Sequence, residues 1–304
     1  MTRVTILMAT RNGAKHLPAQ LNSLGAQTHT DWRLWVSDDA STDATRSLIA
    51  AFAQAHPTQD VRLFDGPCRG AAANFLSLLC HPDLPPGPVA LCDQDDVWLR
   101  GKLSRALRRI GAAGATGPVL YAAESWLADA DLRRLARSAT GRTRPSLRNA
   151  LVQNLCSGHT TVLNEAAVSL IRRAGSPPGI AFHDWWLYQL VACAGGICLL
   201  DPTPVALYRQ HDSNLFGASR GPGAALRRLR LLANRDYAGW LAAHHNALRG
   251  VAHLLAPEAR LLLQTLAATP AGPSRAITFC RAGLCRSATL GTAALWCAAA
   301  LGRA

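Results

Sequence analysis

The first hundred residues switch repeatedly between short apolar runs and segments with helical spacing, and this alternation restricts the possible folds more than any other feature. Val4–Ala9 is an apolar run bounded by turn residues, so it reads as a buried strand. Leu17, Leu21 and Leu24 then recur at helical spacing in a segment that stops near Gln27. A second strand is expected over Trp32–Ser37, followed by a helix from Asp43 to about Gln54 with Ser41 or Thr42 as its cap. A third strand over Val61–Phe64, a helix over Ala71–Leu79 and a fourth strand over Val89–Cys92 complete the series. Such β-α-β-α order predicts an α/β fold, a mostly parallel sheet flanked by helices.

Open parallel sheets place ligands at the carboxyl ends of their strands. Here those ends read Thr10-Arg11-Asn12-Gly13, Asp38-Asp39 and Asp93-Gln94-Asp95-Asp96. Three carboxylates within four residues repel one another, so they need a cation or wide exposure to water. After an apolar strand they can offer hard oxygen ligands to Mg²⁺ or Mn²⁺, which also binds a diphosphate. An acidic surface turn before a helix starting near Leu99 is the plainer alternative. Asp39 is placed to accept hydrogen bonds from a ribose or a uracil-type base, although this stretch also suits plain helix capping.

Two later motifs carry candidate chemistry. In His183-Asp184-Trp185-Trp186 the acid is either a general base in an apolar wall or a helix cap beside core tryptophans. In Tyr208-Arg209-Gln210-His211, Arg209 can fork onto diphosphate oxygens, and His211 can complete a metal shell or contact phosphate.

The order of these elements resembles the family 2 glycosyltransferases with the GT-A fold, and within them the rhamnosyltransferase-like bacterial branch. The matching pieces run unbroken over about residues 3–217: Val4 to Gly13, Leu21-Asn22-Ser23-Leu24 with Gln27-Thr28, Ser37 to Asp43, and Asn74-Phe75. They continue with Leu91 to Trp98 and Lys102, Ser157-Gly158-His159-Thr160, His183 to Trp186, and Tyr208 to His211 with Asn214. By that resemblance Thr10, Asn12, Asp39 and Asn74 hold the nucleotide. Asp93 and Asp95 are the outer acids of the family's DxD motif, touching ribose and metal, with Asp96 in support. Asp184 is the catalytic base, His211 a metal or diphosphate contact, and Gly158, His159 and Trp185 lie near the acceptor.

Two details depart from the common family pattern. Ala40 replaces a frequent glycine, so its turn must avoid positive φ or accept strain. Arg11 stands where many members carry an aromatic or aliphatic residue, a departure that puts base stacking there in question and makes Arg11 a candidate phosphate contact. The implied reaction moves a sugar, rhamnose by preference, from a dTDP- or UDP-linked donor to a glycan or lipid-linked acceptor in cell-surface polysaccharide or glycolipid synthesis. It implies Mg²⁺ or Mn²⁺ as cofactor. The rivals are a sugar nucleotidyltransferase, disfavoured by the lack of a Gly-rich phosphate loop with a nearby lysine, and a non-catalytic scaffold with the same fold.

Composition sets the remaining bounds. With 304 residues and 49% hydrophobic content the chain can bury a sizeable core. Nine cysteines without a CxxC pair suit free thiols in a reducing compartment. No signal-peptide core opens the chain and no apolar stretch reaches the ~18 residues of a membrane span, so a cytoplasmic location is expected. Charge divides the sequence: residues 1–219 hold 21 basic against 17 acidic residues, and residues 220–304 hold 11 against 2. We therefore expect a catalytic domain over 1–217 and a basic helical region over 218–304, broken near Pro257 and across Pro270–Pro273. That region either contacts the inner membrane peripherally or presents a solvated helical face. A nucleic-acid partner is not expected, because no recognised module or aromatic-basic interleaving is present.

Overall fold

The computed structural model describes residues 2–138, 144–210 and 235–304. Among these, the main sheet has seven strands: β1 (Val4–Thr10), β2 (Trp32–Asp38), β3 (Val61–Asp65), β4 (Val89–Asp93), β6 (Val119–Ala123), β9 (Val162–Leu163) and β10 (Ile197–Asp201). Their order is β10-β6-β9-β4-β1-β2-β3. β1 pairs in parallel with β2 and β4, β2 with β3, and β10 with β6. The two-residue β9 is the exception, lying antiparallel between β4 and β6. The predicted strands are all present, each within one or two residues of the expected ends, and the sheet is mostly parallel as the β-α-β order requires.

Strand periodicity sorts the core into two clusters, one on each face. Ile6 and Met8 face α1 (Leu17–Gly25), α2 (Thr45–Ala55) and α4 (Lys102–Ala112), burying Leu21, Phe52 and Leu103. Leu7 faces the other way, into a cluster with Phe75 of α3 (Ala71–Leu79), Ile171 of α6 (Glu165–Ala174) and Trp186 of α7 (His183–Cys193). Successive side chains on a strand point to opposite faces, so one apolar run feeds both cores.

The C-terminal helices join the second cluster. They are α8 (Asp236–Gly250), α9 (Pro257–Ala268), α10 (Pro273–Arg281) and α11 (Thr289–Ala300), and their Leu241, Leu248, Leu263, Phe279 and Leu295 are buried in it. Polar ties reinforce this packing against α5 (Leu147–Ala150) and α7. Tyr237 Oη donates to the Val152 carbonyl at 2.6 Å, His245 Nε2 meets the Leu151 carbonyl at 2.9 Å, and His244 Nδ1 meets Gln189 Oε1 at 2.7 Å. The breaks near Pro257 and across Pro270–Pro273 fall where expected, and a further break between Arg281 and Thr289 was not foreseen. The boundary expected at 217–218 lies outside the described residues.

A second, four-stranded sheet was not foreseen. β5 (Val97–Trp98), β11 (Ala206–Arg209), β7 (Trp126–Ala128) and β8 (Arg134–Arg137) pair in the order β5-β11-β7-β8. β5 leaves β4 directly after the 93–96 acids, so this small sheet fixes the far side of the acidic turn.

Candidate active site

Three strand ends meet above the middle of the main sheet. Arg11 N–H donates to Gln94 Oε1 at 3.0 Å, and Gln94 Nε2 donates back to the Arg11 carbonyl at 3.1 Å. This clasp joins the ends of β1 and β4. It requires Gly13, because a Cβ there would lie 2.2 Å from Gln94 Oε1. Gln94 was not anticipated as more than a spacer between acids.

The β2 end is a closed polar network. Asp38 is buried; its Oδ1 accepts from Thr10 Oγ1 at 2.9 Å and from Ser41 Oγ at 2.5 Å, and its Oδ2 accepts from Ser41 N–H at 2.9 Å. Burial acts to raise its pKa, but hydrogen bonds from Ser41, Thr10 and Arg46 outweigh that and hold the carboxyl below its ordinary value. Asp39, also buried, accepts from Cys68 N–H at 3.0 Å and Gly70 N–H at 3.2 Å, which fixes the β3–α3 loop. Asn12 Oδ1 accepts from Thr42 N–H at 2.8 Å. The expected Ser41 or Thr42 cap of α2 is absent: Asp43 Oδ1 instead accepts the Thr45 N–H at 3.0 Å, while Ser41 serves Asp38. Ala40 takes φ +55, so the turn accepts strain rather than avoiding positive φ. Asn74 is buried, with Nδ2 donating to the Ser37 carbonyl at 3.0 Å and Oδ1 without a partner.

The β4 end is the reverse. Burial, reinforced by the nearby charges of Asp95 and Asp184, pushes Asp93 up to about 7. Asp96 is fully buried and also raised well above its ordinary value, by burial first and then by its acidic neighbours. One Asp96 oxygen accepts the Arg209 N–H at 3.2 Å; the other, Oδ2, is buried without a partner. Such a group is costly unless something binds it.

His159 enters this cluster from the turn Gly158–Thr160. Ligand atoms of Asp93, Asp96 and His159 all lie within 4.8 Å of one another. Burial drives the His159 pKa down to about 3, so its ring is neutral. The ring stacks on Tyr208 with centroids 4.5 Å apart, and its Nε2 meets Ser125 Oγ at 2.5 Å. A histidine among these acids was unforeseen, because the family resemblance placed it toward the acceptor. Two or more carboxylates with one neutral imidazole are a donor set that fits Mn²⁺ or Mg²⁺, and the orphaned Asp96 oxygen is the observation that favours such an ion. His211, expected as a ligand, lies outside the described residues.

Lys102 closes the cluster from below. It is fully buried at the start of α4, its Nζ donates to the His159 carbonyl at 2.5 Å, and it lies 3.3 Å from the Trp98 ring centroid. A cation at a helix N-terminus opposes the helix dipole. Burial lowers its pKa to about 7, while Cys92, Asp96 and Asp93 pull the other way.

Asp184 occupies the first turn of α7, with Phe182 as the N-cap residue. Its Oδ2 accepts Gly158 N–H at 3.1 Å and its Oδ1 accepts Trp185 N–H at 2.8 Å. Gly158 tolerates no side chain, since a Cβ would stand 2.7 Å from His183 Nε2. One turn therefore carries both His159 into the acids and the amide that orients Asp184.

Three predicted contacts need correction, because their polar groups are spent on the protein itself. The Thr10 hydroxyl is turned inward to Asp38. The Arg209 guanidinium donates from Nε to the Asp95 carbonyl at 2.9 Å and from Nη1 to the Ala130 carbonyl, so it braces the acidic turn rather than offering an open fork. Trp185 is buried, with Nε1 on the Ala150 carbonyl at 2.7 Å and its ring against His244 and Tyr237 of α8.

Comparison with known proteins agrees with this architecture. Over 245 residues the chain is 28% identical to the dTDP-rhamnosyl transferase RfbG of Shigella flexneri, covering 76% of this chain and 80% of that one. The fold is similar to the crystal structure of S. aureus TarS 1-349, with TM-score 0.56 and 16% identity over 92% of this chain and 89% of that one. It is also similar to the mannosyltransferase PcManGT from Pyrobaculum calidifontis, solved with GDP-Man and Mn²⁺, with TM-score 0.54 and 21% identity over 99% and 87% of the two chains. The family model for glycosyl transferase family 2 matches residues 5–168, more than half of the chain, and with the GT-A-like sheet and its strand-end acids this shows that the chain belongs to that family.

Proposed function

We propose that this glycosyltransferase moves a sugar from a nucleoside diphosphate donor to an acceptor hydroxyl by a single inverting displacement, with Asp184 as the base. The observation that carries the reading is the raised pair of half-buried Asp93 and fully buried Asp96 beside Asp184, with one Asp96 oxygen unpartnered. Asp93, Asp95, Asp96 and His159 would hold a divalent ion, which when bound would supply charge neutralisation for the departing diphosphate. Asp39, Asn12 and the unpartnered Asn74 Oδ1 line the donor side, and Arg11 lies at its rim for a phosphate contact.

Asp184 is oriented by the two amides it accepts from, and takes the acceptor proton as the new bond forms. Gly158 supplies one of those amides and Trp185 the other, its buried ring anchoring that turn of α7. The likeness to a dTDP-rhamnosyl transferase favours dTDP-rhamnose as donor. The acceptor class proposed with it is a glycan or lipid-linked hydroxyl met at the inner face of the membrane.

The test is turnover of a panel of dTDP- and UDP-sugars with Mn²⁺ or Mg²⁺. Asp184→Asn is expected to lose about 10²–10⁴-fold in kcat while donor binding survives. Undiminished turnover in that variant removes Asp184 from the role.

A further inference from the structure

The last helix, α11, has no charged residue over Thr289–Ala300. One side of it packs into the protein through Leu295, Ala298 and Ala299. The other side is exposed and equally apolar: Leu290, Ala294, Cys297 and Leu301 recur three or four residues apart, with Leu290 85% and Leu301 70% exposed. A helix lying on a protein surface ordinarily carries charged or polar residues on its outer face, and an all-round apolar helix is ordinarily buried. Leu261 and Ile277, on α9 and α10, are exposed as well. Four of the six exposed large apolar side chains among the described residues thus fall after residue 260.

The charge around this face is one-sided. Residues 271–304 contain Arg275, Arg281, Arg286 and Arg303 and no acid. Arg281 and Arg303 are exposed. With no carboxylate on this stretch, the same face of a second copy, paired with itself, offers the arginines nothing to pair with. An anionic bilayer supplies both an apolar layer and negative headgroups. Twelve residues of helix reach about 18 Å against a hydrocarbon layer of about 30 Å, so α11 cannot cross and must lie flat. No described helix is long and apolar enough to cross a membrane.

We infer that the exposed face of α11 docks the enzyme on an anionic phospholipid surface, with Leu290 and Leu301 inserted and Arg281 and Arg303 at headgroup level. The inference rests on the lipid-linked acceptor class proposed above, since docking brings the cleft to where such an acceptor resides.

Vesicle co-sedimentation of the full chain tests it, using phosphatidylglycerol/phosphatidylcholine mixtures against pure phosphatidylcholine at low and high salt. Binding to the anionic vesicles alone, weakened by salt, is expected. Leu290→Glu lowers the partition coefficient about tenfold, the size of effect expected from losing one buried leucine. Arg281→Ser with Arg303→Ser removes the preference for anionic lipid. Leu290 lies outside the core, so thermal melting and hydrolysis of the donor by water are unchanged in Leu290→Glu, which keeps docking separable from catalysis. The inference is overturned if the wild type stays in the supernatant with anionic vesicles, or if Leu290→Glu binds as well as wild type. It is also overturned if light scattering shows a dimer that Leu290→Glu dissociates.

Discussion

Asp38 and Asp96 are both buried aspartates at the ends of parallel strands flanking β1, yet the protein treats them in opposite ways. Asp38 is given every hydrogen bond it can use, from Thr10, Ser41 and Arg46, and its carboxyl is held below the ordinary range. Asp96 receives one amide hydrogen bond, keeps an orphaned oxygen, and is pushed well above that range. The first carboxylate is structural: it welds the ends of β1 and β2 into a rigid floor. The second is left in an unfavourable state that the proposed cation would relieve. The difference teaches that two buried aspartates can differ in whether the protein itself satisfies them, a distinction invisible in residue type, and it is the unsatisfied one that the proposed ion would need.

Substitutions at the two ends should separate these roles. The largest effect is expected for Asp96→Asn, which keeps shape but removes the charge. Turnover should fall by about 10²–10³-fold, the usual cost of losing one preorganised electrostatic group, with the melting temperature of the metal-free protein unchanged or raised. A stability loss without an activity loss would show that Asp96 belongs with Asp38.

Asp38→Ala should do the opposite, destabilising by about 2–3 kcal/mol in urea unfolding because the Thr10 hydroxyl and the Ser41 amide lose their acceptor. Because the folded Asp38 pKa lies below its unfolded value, its contribution is present above pH about 4 and is lost as pH falls through the folded pKa. The variant should therefore differ from wild type at pH 7 and converge with it in acid. Equal gaps at both pH values would deny Asp38 its role as an ionised anchor.

The smallest effect concerns Ala40, held at φ +55 beside Asp39. Ala40→Gly relieves about 1–2 kcal/mol of backbone strain and gives back about 0.4–1 kcal/mol through a freer unfolded chain. A gain of about 1–3 °C in melting temperature is the expected balance. A loss would mean that the turn relaxes in solution.

The architecture was legible wherever period and punctuation agreed. β1 to β4 and α1 to α3 followed from apolar runs and helical leucine spacing. β5, β7, β8 and β11 are two to four residues long, too short to carry a period, so the second sheet was not readable, and nothing in the sequence marked the antiparallel direction of β9.

In the site, the acids at the strand ends stood out because three carboxylates together demand an explanation. Gln94 and Lys102 did not stand out as site residues, and His159 was expected toward the acceptor rather than among the acids. A lone histidine, glutamine or lysine carries no such demand, and only the fold reveals that all three touch the acidic turn or its clasp. Thr10, Arg209 and Trp185 mark the converse limit. Their chemistry suited a ligand, but the sequence does not say which partner takes a polar group first, and here the protein's own carbonyls and Asp38 do.

The central claim, that the 93–96 acids hold a divalent ion at the donor diphosphate, is tested most directly by calorimetric titration of Mn²⁺ into the protein with dTDP, in wild type and Asp93→Asn. The account predicts uptake of Mn²⁺ by the wild type and an affinity lowered by at least about 10–100-fold in the variant, since changes merely outside a metal's ligand shell already cost that much. Equal Mn²⁺ affinity in the two proteins, or none in either, would contradict it.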